Sequence, residues 1–312
     1  MAWLLAQPGL FSITDMKRQN HYPGESRWKG WLYLLPAFSI YLVFTFLPIL
    51  ETIRNSFYDW DGISLNRQWI GFENYVHLFQ DQQFLTALLH NLVFIIFYSL
   101  IPIFLGLFLA SLLSCEPIRG FNFFRTVLFL PQVLSMVVVG VIWRWVFNPS
   151  FGPLNMLLRS IGLGAAARAW LGDFTWALPA VGSIGSWVQY GFCLILFLSG
   201  MQHIPEEYYE ASSLDGAGAI SQFWHITLPG LRSEISVALI STFVAALRVF
   251  DLVFTTTRGG PGDSTMVTGF LIYRSAFLQH QMGYASAIAT VLMIIILSAS
   301  VIIRHYQRSG EE

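Results

Sequence analysis

Six long apolar stretches with few or no charged side chains dominate this sequence. A helix rises ~1.5 Å per residue, so about 20 apolar residues cross the hydrocarbon core of a bilayer. In lipid a helix satisfies its own backbone hydrogen bonds, whereas an irregular chain does not. We therefore predict an all-α, polytopic membrane protein with six transmembrane helices, at residues 31–50, 91–114, 126–147, 177–199, 235–255 and 284–303.

Composition supports a lipid-facing surface. Hydrophobic residues make up 55% and charged residues 11% of the 312 residues, whereas globular domains carry about 25% charged residues. The net charge is −1 and no basic run interleaves with aromatic residues, so nothing indicates binding to nucleic acid. Membrane lipid is the expected surroundings of this chain.

The chain shows no sequence pattern of a metal site or an enzyme. Its cysteines, Cys115 and Cys193, lie in or beside apolar stretches, and its seven histidines are scattered. We read the cysteines as small apolar residues and expect no metal. No serine stands in a G-x-S-x-G nucleophile elbow, so no catalytic residue is predicted.

Lysine and arginine set the predicted orientation, because they are enriched in cytoplasmic loops. With the N-terminus inside, nine of these residues fall on the cytoplasmic side, six outside and two within spans. The first residues are apolar and Lys17 and Arg18 follow, which is the reverse of a secretory signal. We predict cytoplasmic termini, a cytoplasmic tail at residues 1–29 and a transmembrane domain at residues 30–312.

The segment between the fourth and fifth spans, residues 204–229, is predicted to face the cytoplasm as two short helices. Pro205 suits a first helical position. At the turn, Gly216 supplies backbone freedom and Asp215 is expected to cap the second helix, which ends before Pro229. Too many large apolar groups lie here for a solvated loop, so a partner surface is expected: Tyr208, Tyr209, Leu214, Phe223 and Trp224.

This segment resembles a motif of one transporter family. Transmembrane subunits of binding-protein-dependent ABC importers carry E-A-A, three residues, G, nine residues, then I-x-L-P. The chain has the same spacing, with serine in place of the second alanine. The matching residues, with Leu214 and Asp215 between them, are Glu210, Ala211, Ser212, Gly216, Ile226, Leu228 and Pro229.

The string IPEEYYEASSLDGAGAISQFWHITLP is similar to sugar permeases of the maltose-transporter type in particular. Residues 70–79, 143–155 and 257–261 resemble permease segments in the same order. The resemblance implies the architecture of a type I ABC importer permease, with spans two to six as its core, in the inner membrane of a bacterium or archaeon. Residues 204–229 would then be the coupling helix region that docks on an ATPase.

The resemblance also implies partners. These are a second, homologous permease chain, a dimer of ABC ATPase subunits, an extracytoplasmic solute-binding protein and a sugar or oligosaccharide. A phosphate-binding loop needs G-x-x-x-x-G-K-[ST], and neither lysine of this chain, Lys17 or Lys29, has that context. We therefore expect no cofactor in this chain, with ATP and Mg²⁺ held by the ATPase.

Two charged residues interrupt the fifth span. Arg248 and Asp251 are three residues apart, so on a continuous helix they share a face and can pair. A charge inside a membrane span costs about 2.5–3.5 kcal/mol on insertion scales, so the pair should face protein or water. Two interpretations stay open: these residues line the substrate path, or they lock the fifth helix to a neighbour.

In the fourth span, Trp187, Gln189 and Tyr190 offer aromatic faces and an amide, which suit a sugar but also suit ordinary packing. The resemblance places Gly185, Gln189 and Phe192 where the maltose transporter contacts its sugar. It also places the predicted turn Gly259-Gly260-Pro261 in a loop that faces the binding protein.

Two other function classes remain as alternatives. An ion-coupled secondary transporter would carry inverted repeats and ionisable residues at mid-membrane, and Arg248 and Asp251 are the feature in its favour. A membrane scaffold subunit would use the loop at 204–229 only to recruit a soluble partner.

Overall fold

A computed structural model describes residues 27–114 and 120–308 of the chain. The chain divides into two compact units, residues 1–51 and 52–312. The first unit is helical where it is described, from α1 (Arg27–Tyr41) through a π-helical turn (Leu42–Phe46) into α2 (Leu47–Asn55). This helix contains the predicted first span, and its apolar side chains are exposed. Most of the predicted tail, residues 1–26, lies outside the described residues.

The second unit is almost entirely helical, with one small antiparallel hairpin that pairs Tyr58 with Trp69. Its elements are β1 (Tyr58–Asp59), β2 (Gln68–Trp69), α3 (Glu73–Gln80), α4 (Gln82–Ile95), α5 (Ile101–Ser114), α6 (Phe121–Val133), α7 (Met136–Val146), α8 (Pro153–Ser160), α9 (Ala177–Met201), α10 (Glu206–Leu214), α11 (Ala219–Gln222), α12 (Leu228–Gly230), α13 (Arg232–Leu247), α14 (Asp251–Thr256), α15 (Thr268–Tyr273) and α16 (Met282–Arg308).

Four helices in the described part of the chain are long and apolar enough to cross a membrane: Trp31–Asn55, Gln82–Leu113, Ala177–Met201 and Met282–His305. These contain the predicted first, fourth and sixth spans, and all but the last residue of the predicted second span. Two bent helix pairs, Phe123–Val133 with Met136–Val146 and Ala219–Gly230 with Arg232–Leu247, raise the number of candidate spans to six if each pair counts as one crossing. The chain is thus a multi-pass, mostly helical membrane protein.

The predicted third and fifth spans are not continuous helices. The third bends by 98° between Phe123–Val133 and Met136–Val146, because Leu134 and Ser135 adopt extended backbone just after Pro131. The fifth helix, α13, ends at Leu247, and the chain turns helical again only at α14. Each of these two predicted spans is therefore interrupted by a break in its helix.

Three of the prolines that lie within helical runs directly follow a π-helical turn, where the helix widens. A proline lacks the N–H donor and crowds the carbonyl four residues back. In each case the preceding residue donates its N–H five residues back, in a π-helical turn. These bonds are Leu47 to Leu42 before Pro48, Ile101 to Ile96 before Pro102, and Leu228 to Phe223 before Pro229.

Helix α9 is the centre of the second unit, and α5 and α6 pack along it. Glycines allow this close approach, as small residues do between membrane helices. A Cβ atom at Gly191 would lie 3.1 Å from the Leu128 carbonyl oxygen of α6. The carboxyl end of α9 leads directly into residues 204–229, and Gln189 lies near its middle. One rigid helix therefore connects the two predicted functional regions.

Candidate functional site: a candidate coupling surface and a cavity at a helix break

The motif glycine ends α10. Gly216 has φ +81°, a left-handed conformation that favours glycine. The Gly216 N–H donates to the Ser213 carbonyl at 3.1 Å, and the Ala217 N–H donates to the Ser212 carbonyl at 2.9 Å. This is the Schellman pattern that closes a helix. The spacing from Glu210 to Gly216 thus corresponds to the last turn of α10 and its cap.

Three details of the loop differ from the prediction. Asp215 ends α10, and Gly218, not Asp215, precedes α11. Pro205 lies one position before the first helical residue. The second helical run continues past Pro229 to Gly230, because the π-helical turn at Phe223–Thr227 accommodates the proline ring.

The two helices of the loop are joined by one glutamine. The Gln222 side-chain amide donates to the Tyr209 carbonyl at 3.2 Å, to Ser212 Oγ at 2.9 Å and to Ser213 Oγ at 2.8 Å. Ser212, the departure from the family's second alanine, takes part in this contact. Tyr209 Oη also lies 2.9 Å from Thr227 Oγ1. Hydrogen bonds therefore hold the two helices of the loop together as one unit.

The outer face of the loop exposes apolar side chains. Leu214 is 90% and Ile220 79% exposed, and Tyr208 and Trp224 are also exposed. Beside them, Glu210, Ala211, Asp215, Gly216 and Pro229 are exposed, while Ser212, Ile226 and Leu228 are half-buried. We call this face, from Tyr208 to Trp224, the coupling surface.

The inner side of the loop is fixed to the membrane helices. Leu231, which follows the loop, is fully buried. Its side chain lies against Gly200 of α9, where an added Cβ would come 2.6 Å from Leu231 Cδ2. The two ends of the loop are therefore packed together at the carboxyl end of α9.

The second site is a cavity of about 310 Å³ beside the break between α13 and α14. Gln189, Arg248 and Asp251, all predicted for the substrate path, line it together. Tyr98, Ser241 and Phe250 complete its polar and aromatic lining. We call it the break cavity.

Arg248 and Asp251 do not form the predicted pair. The break puts them on different elements, since Arg248 ends α13 and Asp251 begins α14, with Phe250 at φ −142° and ψ −59° between them. Both side chains are exposed. An ion pair elsewhere joins Arg274 to Asp263, at 3.2 Å. Of the two interpretations, the geometry thus favours residues that line the substrate path over residues that lock the fifth helix to a neighbour.

The other residues predicted for the substrate path do not line the break cavity. Gly185 is buried, and a Cβ there would overlap the Tyr98 ring. Trp187 packs edge-to-face on Trp143, with 5.5 Å between ring centroids. Tyr190 and Phe192 are half-buried elsewhere on α9.

Asn91 borders this site and was not among the residues predicted from the sequence. It is fully buried in α4 and donates to the carbonyls of Ala246 and Leu247, at 3.1 and 3.2 Å. These are the last residues of α13, next to the break. The sequence offered one signal for it, a single asparagine at the start of an apolar stretch. A polar group in a membrane span needs a hydrogen-bonding partner, so such a residue predicts a contact with another helix.

The predicted turn Gly259-Gly260-Pro261 is held inward by hydrogen bonds. Gly259 has φ +84°, and the Gly260–Pro261 peptide bond is cis. Thr265 donates its N–H to the Gly259 carbonyl at 3.1 Å and its hydroxyl to the Gly260 carbonyl at 2.9 Å. The loop continues to Asp263, which pairs with Arg274.

Over residues 27–114 and 120–308, no three His, Cys, Asp or Glu side chains gather as metal ligands would.

Similar proteins place this architecture in a family. Residues 102–309 match the model of the binding-protein-dependent transport system inner membrane component. The probable ABC transporter permease protein YurN of Bacillus subtilis is 41% identical over 90% of this chain and 97% of its own length. The multiple sugar-binding transport system permease protein MsmF of Streptococcus mutans is 36% identical, over 89% and 94% of the two chains.

A solved structure has the same fold. A crystal structure of a bacterial alginate ABC transporter, in complex with an alginate pentasaccharide-bound periplasmic protein, contains a chain with a TM-score of 0.78 and 25% identity. The match covers 95% of this chain and 96% of that one. The chain therefore belongs to the binding-protein-dependent transport system inner membrane components, as the permease subunit of an ABC importer.

Proposed function

We propose that this permease carries a sugar or oligosaccharide from an extracytoplasmic binding protein to the cytoplasm, driven by ATP hydrolysis on partner subunits. The observation that carries the proposal is the coupling surface: an exposed apolar and acidic face on a loop fixed at both ends to α9 and α13. A relative named for multiple-sugar transport and a similar chain from an alginate transporter support the substrate class.

The proposed topology has six spans, with α6 and α7 together forming the third crossing and α13 and α14 the fifth, and both termini in the cytoplasm of a bacterium or archaeon. The permease domain is residues 30–312, after a tail at 1–29. The coupling surface then faces the cytoplasm, and the turn at residues 259–261 faces the binding protein. The excess of lysine and arginine on the cytoplasmic side supports this orientation.

Two features of this chain suggest its partners: it lacks a nucleotide-binding loop, and its break cavity is not enclosed. The sequence has no P-loop, so two ATPase subunits would supply ATP and Mg²⁺ chemistry. The break cavity is open and presents two charges, Arg248 and Asp251. A second permease chain would cover it, because exposed charges are unfavourable in lipid.

The proposed mechanism uses the loop as a lever. When the ATPase dimer closes on ATP, the coupling surface moves with it and rotates α9 and α13. The break cavity then opens outward and receives the sugar from the binding protein. After hydrolysis the lever relaxes, and the cavity opens to the cytoplasm. The Gln189 amide and the ring of Phe250 suit the hydroxyls and C–H faces of a sugar.

The test is a complex of this chain with its partner permease, ATPase and binding protein in proteoliposomes. Neutral di- to pentasaccharides of the maltose, lactose and chitin types, and alginate oligosaccharides, are compared as stimulators of ATP hydrolysis and as cargo. At least one should do both. The variant Glu210→Lys should abolish stimulation while the chain still inserts, and the matched variant Glu207→Lys, in the same helix but outside the motif, should retain most of it.

Other outcomes identify the alternatives. Sugar uptake that continues without any ATPase would make the chain an ion-coupled carrier. ATPase binding without sugar-dependent turnover for any compound of the panel would make it a scaffold. Normal stimulation in Glu210→Lys would refute the lever.

A further inference from the structure

Asn91 uses all of its hydrogen-bonding capacity on two other helices. An asparagine amide has two donors and an acceptor oxygen with two lone pairs. The donors bind the carbonyls of Ala246 and Leu247, at 3.1 and 3.2 Å. The oxygen accepts the Thr268 N–H at 2.9 Å and the Thr268 hydroxyl at 2.8 Å. Asn91 and Thr268 are both fully buried.

These bonds lie at the two helix ends that border the break. The last carbonyls of a helix have no partner within it, and those of Ala246 and Leu247 belong to the final turn of α13. Thr268 is the first residue of α15, whose N–H groups are equally unpaired. One side chain of α4 therefore caps one helix and holds the start of another.

The non-helical link itself is packed against α15. A Cβ atom at Gly269 would lie 2.8 Å from the Val249 carbonyl oxygen and 3.3 Å from Phe250 Cβ. The link is thus held between α15 and the cap from α4. Its two flanking residues, Arg248 and Asp251, are those that enter the break cavity.

We propose that Asn91 is a positioning residue for the break cavity: by capping α13 it fixes the break, and so the placement of Arg248, Phe250 and Asp251 toward the cargo. This role rests on the proposed function of the cavity. Asn91 does not line the cavity and acts only through the backbone it binds.

The chain offers variants that separate the cap from ordinary packing. Asn91→Asp keeps the acceptor toward Thr268 but replaces the donors with a carboxylate that faces two carbonyls. Ser99→Ala is the matched control, because it removes another buried bond between the same two spans, Ser99 Oγ to Thr242 Oγ1 at 2.7 Å. Ser99 precedes α5, and Thr242 lies more than one turn before the break.

The first measurement is hydrogen–deuterium exchange of the purified complex in lipid nanodiscs, without sugar. Residues 244–252 should exchange at least tenfold faster in Asn91→Asp than in the wild type, and at the wild-type rate in Ser99→Ala. If Asn91→Asp fails to assemble, Asn91→Leu, which buries no charge, is measured instead. Exchange within twofold of wild type, or equal acceleration in Ser99→Ala, would overturn the proposal.

The second measurement is the number of sugars imported per ATP hydrolysed, with the sugar that stimulates the wild-type complex. A variant that is merely less stable loses sugar import and ATP hydrolysis in proportion, because fewer complexes are folded. The ratio of the two then stays constant. In Asn91→Asp the ratio should fall at least fivefold, and in Ser99→Ala it should not change; an unchanged ratio in Asn91→Asp also overturns the proposal. If no sugar stimulates the wild type, the proposed function fails, and the exchange data alone decide whether Asn91 fixes the break.

Discussion

Gly216 closes α10 in a conformation that other residues avoid. An added Cβ would meet no atom within 4 Å, so a substitution there changes backbone strain alone. A left-handed conformation costs a non-glycine residue about 1–2 kcal/mol. Gly216→Ala should therefore fray the last turn of α10 and reduce sugar-stimulated ATPase activity several-fold, measured in the reconstituted complex.

Gly218 is the matched control for this prediction. It lies two residues on, at φ −79°, and its Cβ would also meet open space. Gly218→Ala should keep normal activity, and Gly216→Asn should lose less than Gly216→Ala, because asparagine tolerates the left-handed region. Equal loss in both alanine variants would show that the effect lies in the surface and not in the cap.

At Gly185, unlike Gly216, the residue type is limited by the space around it and not by its backbone conformation. A Cβ would overlap the ring of Tyr98, which is itself buried. Extra atoms in a packed core cost about 1–3 kcal/mol. Gly185→Ala should lower the thermal unfolding temperature in detergent, whereas Gly172→Ala, whose Cβ would make ordinary contacts at 3.6 Å, should not. No shift in Gly185→Ala would mean that Tyr98 moves aside freely.

At single positions the sequence predicted more of the coupling surface than of the cavity. The turn is local, so the residues alone predicted the break between the two short helices at Gly216, although they did not predict which residue caps each helix. The cavity depends on which face of α9 meets the break, and a helix turns about 100° per residue. Gln189 faces the break cavity, whereas Trp187 and Tyr190 are rotated by about 200° and 100° from it. No local pattern distinguishes these faces.

At the scale of elements, charge-free length located the helices but not their interruptions. The break after α13 packs against Asn91 and Gly269, which are distant in sequence. The charges at Arg248 and Asp251 interrupted the apolar pattern, but they did not predict a break in the helix. The prolines show the converse. Pro229 predicted a helix end, yet a preceding π-helical turn keeps the helix intact to Gly230.

The cross-link between α10 and α11 yields a prediction for the loop as a unit. Gln222→Leu removes three hydrogen bonds from the side-chain amide and keeps the side chain's bulk. Such bonds contribute about 1 kcal/mol each at most when partly exposed. We expect the subunit to insert normally, with proteolysis of residues 206–222 accelerated and ATPase stimulation reduced several-fold.

Ser221→Ala is the control for that cross-link, because Ser221 is exposed and neighbours Gln222 in α11. It should leave both the proteolysis rate and the stimulation unchanged. If Gln222→Leu behaves the same way, the two helices are held together by the docked ATPase and not by the glutamine.

At the scale of the whole molecule, the loop and the break cavity share two helices. α9 runs from beyond Gln189 to the loop, and α13 runs from the loop to the break at Leu247. Gly200 and Leu231 join these helices at the base of the loop. In the proposed mechanism, a displacement of the coupling surface would therefore reach the cavity through these two helices rather than through a flexible link.

This arrangement requires that the loop and the hairpin of β1 and β2 lie on opposite sides of the membrane. Leu214 on the loop is 90% exposed, and Leu65 in the hairpin is 100% exposed. A single cysteine is introduced as a reporter on each side, by Leu214→Cys or by Leu65→Cys. Both variants also carry Cys115→Ser and Cys193→Ala, so that the introduced cysteine is the reactive one. In intact cells a membrane-impermeant maleimide should label position 65 and spare position 214, and inside-out vesicles should give the reverse. Labelling of both positions from one side would place the coupling surface out of reach of a cytoplasmic ATPase, and the lever mechanism would then be wrong.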